Sequence, residues 1–376
     1  MIRLYRHSNV FAALRPRLPV GLVAIVLALL ALPVKPATAD DNNAWNAQPY
    51  QLGQGLYFPQ QRLRIGGYSS VHLYDIDSQP RTLSVQDLSL FVTKHVGKRW
   101  KLFTEMEIGD ALTVTEDETT TKNADFDIER LYADYHATPQ ATIRFGKFLT
   151  PIGQWNLIHA DPLVWTVTRP LTSSAAFSRH ASGAMVYGIV PLAGNDMDYW
   201  LFVDNSDALD PAEKEEKAFA TDGSSDNVHN NFERASGLRL QYHLHDDQFT
   251  LGASYLSYEL QDPQQNYRLA GLDFSWSGQY LDLSGEAIYR KADNNALSDE
   301  HGAFLQAVVP LSGHIYLVGR HEQYKSAFLS DSAIINTAGF NYRPQPTLAF
   351  KLERRSGSNN DEVAPDGWLA AIAVLF

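Results

Sequence analysis

The residues best suited to chemistry are concentrated in one segment of the chain, 149–181. Aromatic and basic side chains alternate there around a single carboxylate. The set is Trp155, His159, Asp161, Trp165, Arg169, Arg179 and His180. A segment of about 30 residues without clear secondary structure is usually either functional or disordered, and its many Leu, Val, Trp and Ile residues argue against disorder. We therefore expect an ordered loop that either constricts a pore from inside or packs as an external loop on its rim, and we favour the first.

Bond-breaking chemistry has little support in the sequence. No Gly-x-Ser-x-Gly elbow, His-Glu-x-x-His pair or phosphate-binding glycine loop occurs, and the chain contains no cysteine. His243 and His245 flank the start of a turn and could bind a surface metal, although solvated turn residues are the simpler interpretation. The sequence therefore predicts no catalytic residue, no cofactor and no metal site.

Other charged residues alternate with apolar residues along segments of period two. Near 99–109, for example, Lys101 and Glu105 alternate with Leu102 and Met106. Such alternation predicts strands with one apolar and one polar face. A membrane-spanning barrel would turn the apolar face to lipid and the polar face to water, whereas a soluble sheet with one buried face would show the same pattern in isolation.

Strand phase predicts which charged side chains would point into such a barrel. They are Lys101, Glu105, Glu107, Arg130, Asp134, Arg144, Arg239, Asp273, Asp282, Glu286, Arg290, Lys351, Glu353 and Arg355. Facing walls of opposite sign create a transverse field that sorts charged solutes, and the alternative is that these charges only pair with one another. Arg130 and Arg144 lie on neighbouring strands near segment 149–181, so they are the best pair for contact with an anion.

The candidate residues for lining or constricting a pore come from the strands and from the loop together. They are Lys101, Glu105, Arg130, Asp134, Arg144, Trp155, His159, Arg169, Arg179, Arg239, Lys351 and Arg355.

Sixteen strand-like segments follow residue 63, and brief turns alternate with longer, more polar connections. The segments lie near 64–75, 82–94, 99–109, 126–137, 141–148, 182–191, 196–205, 232–244, 247–260, 266–277, 279–291, 301–310, 313–324, 333–343, 346–356 and 367–376. An even strand number with alternating short and long connections is typical of bacterial outer-membrane barrels. We therefore predict an all-β fold over residues 64–376, a transmembrane antiparallel up-and-down β-barrel of about 16 strands. A barrel of this size leaves a lumen that side chains alone do not fill.

The start of the chain fits export to that membrane. Residues 1–39 combine a basic beginning, an apolar run from Leu18 to Val34 and a small-residue site at Ala37-Thr38-Ala39. This pattern predicts a cleaved signal peptide rather than an anchor. Residues 40–63 are polar and Gln-rich, and we expect a short periplasmic or lumenal segment with no strand of its own.

Composition excludes some partners. The net charge is −12 and becomes more negative once the basic signal is removed, which argues against nucleic acid as a partner. An exported chain without cysteine cannot use disulfides. Acidic residues cluster around 116–118 and between Asp207 and Asp226. These clusters could attract cations or bridge to lipopolysaccharide through divalent ions, or they could simply be solvated loops.

One stretch resembles a known family. Residues 144–153, Arg-Phe-Gly-Lys-Phe-Leu-Thr-Pro-Ile-Gly, are similar to the Gly-(Gln/Lys)-Phe-x-x-Pro-(Phe/Ile)-Gly motif of the phosphate-selective porin O and P family. Residues 128–135 resemble the strand before that motif. The resemblance is specific over about 126–180 and architectural elsewhere. It implies a trimeric 16-stranded porin, a loop folded into the pore after the motif, and a terminal phenylalanine, here Phe376, that the barrel-assembly machinery reads.

These patterns predict an outer-membrane porin through which small hydrophilic or ionic solutes diffuse passively. Anions such as phosphate are one candidate class, although the acidic chain lacks a dense run of Arg and Lys near the motif. Expected partners are the solutes, outer-membrane lipid and lipopolysaccharide, the barrel-assembly machinery and two further copies of the chain. Two alternatives stay open, namely a barrel that sheaths or conducts a partner protein and a barrel hydrolase.

Overall fold

The computed structural model describes most of the chain after the predicted signal. The described residues are 48, 50–77, 79–158, 160–209, 231–260, 265–293, 299–327 and 329–376. The predicted signal peptide 1–39, His159 and the acidic stretch 210–226 lie outside the described residues. In the described ranges, no helix combines the length and the hydrophobicity needed to cross a membrane.

Eighteen antiparallel strands, numbered in chain order, supply most of the regular structure in the described ranges. They are β1 (Leu56–Phe58), β2 (Leu63–Ile76), β3 (Thr82–Val96), β4 (Trp100–Val114), β5 (Thr119–Thr120), β6 (Asp125–Thr138), β7 (Ala141–Leu149), β8 (His180–Leu192), β9 (Asn195–Asp204), β10 (Phe232–Leu244), β11 (Phe249–Leu260), β12 (Gln265–Ser277), β13 (Asp282–Ala292), β14 (Glu300–Ser312), β15 (Ile315–Lys325), β16 (Ala333–Gln345), β17 (Leu348–Ser358) and β18 (Gly367–Leu375). Two one-turn helices, α1 (Leu171–Ser174) and α2 (Ser206–Leu209), and two 3₁₀ turns, Trp155–Leu157 and Asp161–Leu163, complete them.

Sixteen of these strands form a closed barrel, and β1 and β5 are short additions to it. Long strands that follow one another in the chain pair with each other, and β18 closes the sheet by pairing with β2, so that Ala371 lies opposite His72. A closed sheet has no free edge, which is what a hydrocarbon environment requires of backbone N–H and C=O groups. The predicted 16-stranded antiparallel barrel is therefore confirmed.

One detail of the start differs from the prediction. Residues 40–63 do contain a strand, because β1 pairs with the beginning of β2 and places Leu56 opposite Ile65. Gly55 makes this close approach possible, since a Cβ at that position would lie 2.1 Å from the carbonyl oxygen of Ile65. The segment thus joins the sheet although its composition gives little strand signal.

The outer face of the barrel is apolar. Leu272 exposes 66% of its surface, and Leu305, Phe340, Leu352 and Ile372 each expose about half. Such a continuous apolar surface would be a liability in water, but it matches the lipid-facing belt of a membrane barrel. The alternation predicted from sequence arises because residues between these positions point inward.

Aromatic residues mark both rims of the belt. Trp100 and Trp276 lie beside short turns at one end, and Trp368 lies beside a longer connection at the other end. Trp and Tyr side chains favour the boundary between hydrocarbon and water because one end of the ring system is apolar and the other is polar. A closed up-and-down barrel with this belt and these girdles is the architecture of the bacterial outer membrane.

A charge placed on the belt tests whether it contacts lipid. Leu305 lies in the middle of β14, and we expect Leu305→Arg to lower the free energy of unfolding in lipid vesicles by about 2–4 kcal/mol. Leu311, on the same strand beside a short turn and similarly exposed, provides the control. Leu311→Arg should cost no more than about 1 kcal/mol. Equal costs at both positions in urea titrations would show that the belt does not cross a bilayer.

Candidate functional site

The segment between β7 and β8 folds into the barrel rather than over it. We call residues 150–179 the inner loop. Most of its side chains are buried, including the wholly apolar Ile152 and Ala176, and its backbone contacts inward-pointing side chains of β13, β15, β16 and β17. The loop therefore lies against one side of the inner wall.

Two glycines of the recognised motif set the path of the chain into this loop. Gly146 has φ +128°, and a Cβ there would lie 2.1 Å from the carbonyl oxygen of Leu131. Gly153 has φ +64°, and a Cβ there would lie 2.6 Å from a carboxylate oxygen of Glu286. Only glycine fits such backbone conformations and close approaches without strain. The motif thus has a physical explanation in this chain, independent of any resemblance.

Three glutamates on the wall accept hydrogen bonds from backbone amides of the inner loop. The pairs are Glu286 with Gln154 and Trp155, at 2.6 Å each, Glu353 with Val167 at 2.8 Å and Thr168 at 3.2 Å, and Glu322 with Leu171 at 2.5 Å. An irregular buried loop must find acceptors for its amides outside itself. Carboxyl oxygens accept hydrogen bonds, so the three glutamates hold the loop at three separate points.

Donor side chains on the same wall bind carbonyl oxygens of the loop. The pairs are Lys351 with Asp161 and Thr166, at 2.8 and 3.0 Å, Arg320 with Thr168 at 2.9 Å, Asn341 with Trp165 at 2.8 Å, Arg343 with Val164 at 2.8 Å, and Arg290 with Ala176 at 2.9 Å. Acidic side chains of the wall therefore accept hydrogen bonds from loop amides, and basic side chains of the wall donate hydrogen bonds to loop carbonyls. The charges of this wall are therefore loop supports.

This arrangement buries several residues that were predicted to line the pore. Arg239, Lys351 and Arg355 point inward as expected from strand phase, but each exposes 4% or less of its surface. Arg239 pairs with Asp273, and Lys351 supports the loop. Trp155 is also buried. The structure thus surrounds these four candidates with protein groups rather than with the open lumen.

Five other candidates come together on the opposite wall. Lys101 and Glu105 on β4, Arg130 and Asp134 on β6, and Arg144 on β7 form what we call the wall cluster. Arg144 donates two hydrogen bonds to Asp134, at 2.7 and 3.0 Å, while Lys101 lies 3.4 Å from the same carboxylate and Arg130 pairs with Glu105. Both carboxylates are fully buried, whereas the three cationic side chains expose 16–28%.

The inner loop also carries two partly exposed arginines, and the guanidinium of Arg169 donates to the carbonyl oxygens of Ile158 and Trp155, at 2.9 and 3.3 Å. Among its described residues, Arg169 and Arg179 are the charged side chains that keep intermediate exposure. Burial and the neighbouring Arg179 lower the pKa of Arg169, although a guanidinium stays charged at any physiological pH. The two predicted loop arginines thus lie close enough to repel one another.

His72 and Asp87 also belong to this site, and the sequence did not single them out. His72 on β2 lies 3.1 Å from Asp161 of the inner loop, and Lys351 lies 2.9 Å from the other oxygen of that carboxylate. Burial opposes ionisation of Asp161, but the charges of Lys351 and His72 outweigh it and hold the pKa of the carboxyl well below its usual range. In the sequence, His72 could be recognised only as part of the polar face of β2. That pattern does not indicate that the partner of His72 lies in a distant loop.

Comparison with known proteins adds the class of fold. No protein-family model matches the chain. An uncharacterized protein of Aquifex aeolicus (strain VF5) is 23% identical, over 85% of this chain and 81% of that protein. Among solved structures, the anion-selective porin from Comamonas acidovorans superposes with a TM-score of 0.57 at 13% identity, covering 84% of this chain and 99% of the porin.

Two further porin-like structures agree. Salmonella typhi OmpF has a TM-score of 0.56 at 10% identity, and the outer-membrane channel DcaP of Acinetobacter baumannii has a TM-score of 0.55 at 11% identity. Each comparison covers 84% of this chain and 97% of the other protein. The chain therefore has the fold of outer-membrane porins. The narrower phosphate-selective porin O and P family, suggested by residues 144–153, is not established by these similarities.

Removing one carboxylate should release the start of the inner loop. Glu286→Ala leaves the amides of Gln154 and Trp155 without their acceptor, at a cost of about 1–3 kcal/mol for each buried group. We expect hydrogen exchange of residues 150–158 to accelerate while the barrel strands stay protected. Glu362→Ala, in an exposed connection, is the control and should change nothing. Unchanged exchange in Glu286→Ala would contradict the anchoring role.

Proposed function

We propose that this protein is an outer-membrane porin, a water-filled channel for passive diffusion of small hydrophilic solutes. The observation that carries the proposal is the asymmetry of the interior. The inner loop is tied to β13 and β15–β17, while the wall cluster on β4, β6 and β7 keeps partly exposed cationic side chains. Charged groups that are partly exposed inside a barrel of sixteen strands require water beside them.

The solute class follows from the charges that face this water. Arg130 and Arg144 support an anion poorly, because Glu105 and Asp134 already neutralise them. Arg169 and Arg179 on the inner loop are better candidates, since they are close together and keep intermediate exposure. We therefore propose that small anions pass beside the loop arginines. Phosphate is one member of that class, and no feature of this site singles it out.

Assembly and partners complete the proposal. The porin fold supports a homotrimer in which each barrel carries its own channel. Three points remain predictions from the sequence, namely export by a cleaved signal, recognition of Phe376 by the barrel-assembly machinery, and contact of the acidic clusters around 116–118 and between Asp207 and Asp226 with lipopolysaccharide. A barrel that conducts a partner protein would need the space that the inner loop occupies. A barrel hydrolase would need a nucleophilic side chain, and the arrangement described above assigns that role to none of its residues.

Conductance tests the channel directly. Purified protein added to a planar bilayer should give discrete current steps that scale with salt concentration, because the lumen conducts ions through water. Boiled protein is the control. A folded barrel that gives no current steps at any salt concentration would overturn the proposed function and favour a sheath or an enzyme.

Ion selectivity tests the role of the loop arginines. In a salt gradient, Arg169→Ala and Arg179→Ala should each shift the reversal potential toward cation preference, because each removes a positive charge from the open side of the lumen. Arg81→Ala, which removes an exposed arginine paired with Asp75 at the rim, should leave the potential within error of the unsubstituted protein. A larger shift from Arg81→Ala than from the loop variants would contradict the assignment.

A further inference from the structure

We propose that His72, Asp87 and Asp161 form a binding site for a divalent transition metal where the inner loop meets the barrel wall. The three residues come from β2, β3 and the inner loop, so a bound ion would connect all three segments. The sequence predicted no metal site, and the proposal does not depend on the channel function.

The positions of the ligand atoms support the site. Each of the three side chains offers one ligand atom, and these atoms all lie within 4.8 Å of one another. His72 Nε2 and the nearer oxygen of Asp161 are 3.1 Å apart. Tetrahedral zinc with bonds of about 2.0–2.2 Å separates its ligand atoms by about 3.4 Å. Modest rotation of the Asp87 side chain would therefore complete three protein ligands, with water in the remaining position.

The hydrogen bonds around His72 point to a cation at Nε2. Tyr74 donates its hydroxyl proton to Gln86, at 3.0 Å, so its oxygen is left to accept from Nδ1 of His72, at 2.9 Å. If the ring carries no second proton, Nε2 presents a lone pair to the carboxylate of Asp161. Two acceptors at this distance repel each other unless a proton or a metal ion lies between them. A histidine ligand whose other nitrogen donates to an outer partner is the usual arrangement at metal sites.

The surrounding charges set the kind of ion and its affinity. Asp87 and Asp161 supply two negative charges, and Lys351 and Arg169 partly offset them. Asp87 keeps intermediate exposure and accepts a hydrogen bond from Ser70 through one oxygen, at 2.5 Å, so its other oxygen could bind the ion. Imidazole with carboxylate suits Zn²⁺, Ni²⁺ or Cu²⁺. We expect micromolar rather than nanomolar affinity, because Lys351 competes for Asp161.

Calorimetric titration with Zn²⁺ tests the site on the full chain in detergent. We expect one Zn²⁺ per chain, and affinity weakened on the order of tenfold or more in His72→Gln and in Asp87→Asn. Asp87→Asn keeps an oxygen to accept from Ser70, so its barrel should fold, which circular dichroism checks. His180→Gln is the matched control, because His180 also pairs with a carboxylate, Glu129, at 2.9 Å, yet should leave Zn²⁺ binding unchanged.

Two results would overturn the proposal. Absence of Zn²⁺ binding to the unsubstituted protein would mean that a proton, shared between His72 and Asp161, occupies the position assigned to the metal. Binding that His180→Gln abolishes and His72→Gln leaves intact would place the metal elsewhere. Because the titration needs only folded protein in detergent, its failure is distinguishable from a failure to conduct ions.

Discussion

The organisation of this interior depends on one requirement, that the buried backbone of an irregular loop be fully hydrogen-bonded. A strand satisfies its N–H and C=O groups through its neighbours, but the inner loop has no regular partner and lies where water reaches only one side. The barrel wall supplies what is missing, since Glu286, Glu322 and Glu353 accept from loop amides while Lys351 and Arg320 donate to loop carbonyls. These charged side chains of the barrel thus act first as hydrogen-bond partners of the inner loop, and only secondarily as contacts for a solute.

That requirement also determines which part of the interior remains open. Charges used by the loop are buried on the side of β13–β17, and the wall cluster on β4, β6 and β7 faces the remaining space. Within the cluster, Asp134 and Glu105 are fully buried beneath their cationic partners, so the partners present guanidinium and ammonium groups to water. Arg144 also stacks 3.6 Å from the ring centre of Tyr132, which fixes the orientation of its guanidinium. A negatively charged chain can therefore expose cationic groups on one wall of its interior while their carboxylate partners stay buried.

Much of the fold could be predicted from sequence because strand period and turn spacing are local properties. The alternation of apolar and polar residues predicts that Arg239, Lys351 and Arg355 point inward, although it gives no information about their partners. It could not show that the inner loop covers Lys351, or that Arg239 and Arg355 are buried beside Asp273 and Pro365, because these contacts join residues on different segments. The same limit applied to His72, whose partner lies in that loop. Arg130 and Arg144 lie on the paired strands β6 and β7, but their pairing with Glu105 and Asp134 depends on cross-strand register, which alternation leaves open.

The pairing of β18 with β2 has a consequence for how the molecule folds. The backbone of Phe376 exchanges hydrogen bonds with Gly67, at 2.7 and 2.8 Å, so the seam joins the first barrel strand to the end of the last. Every other long pairing can form between neighbours in the chain, but this one must wait until the whole barrel sequence has been delivered. Closing a loop of that length carries the largest entropic cost of any pairing in the sheet. Until it closes, β2 and β18 present unpaired edges that a partner strand could cap, so we expect closure of the seam to come late in folding.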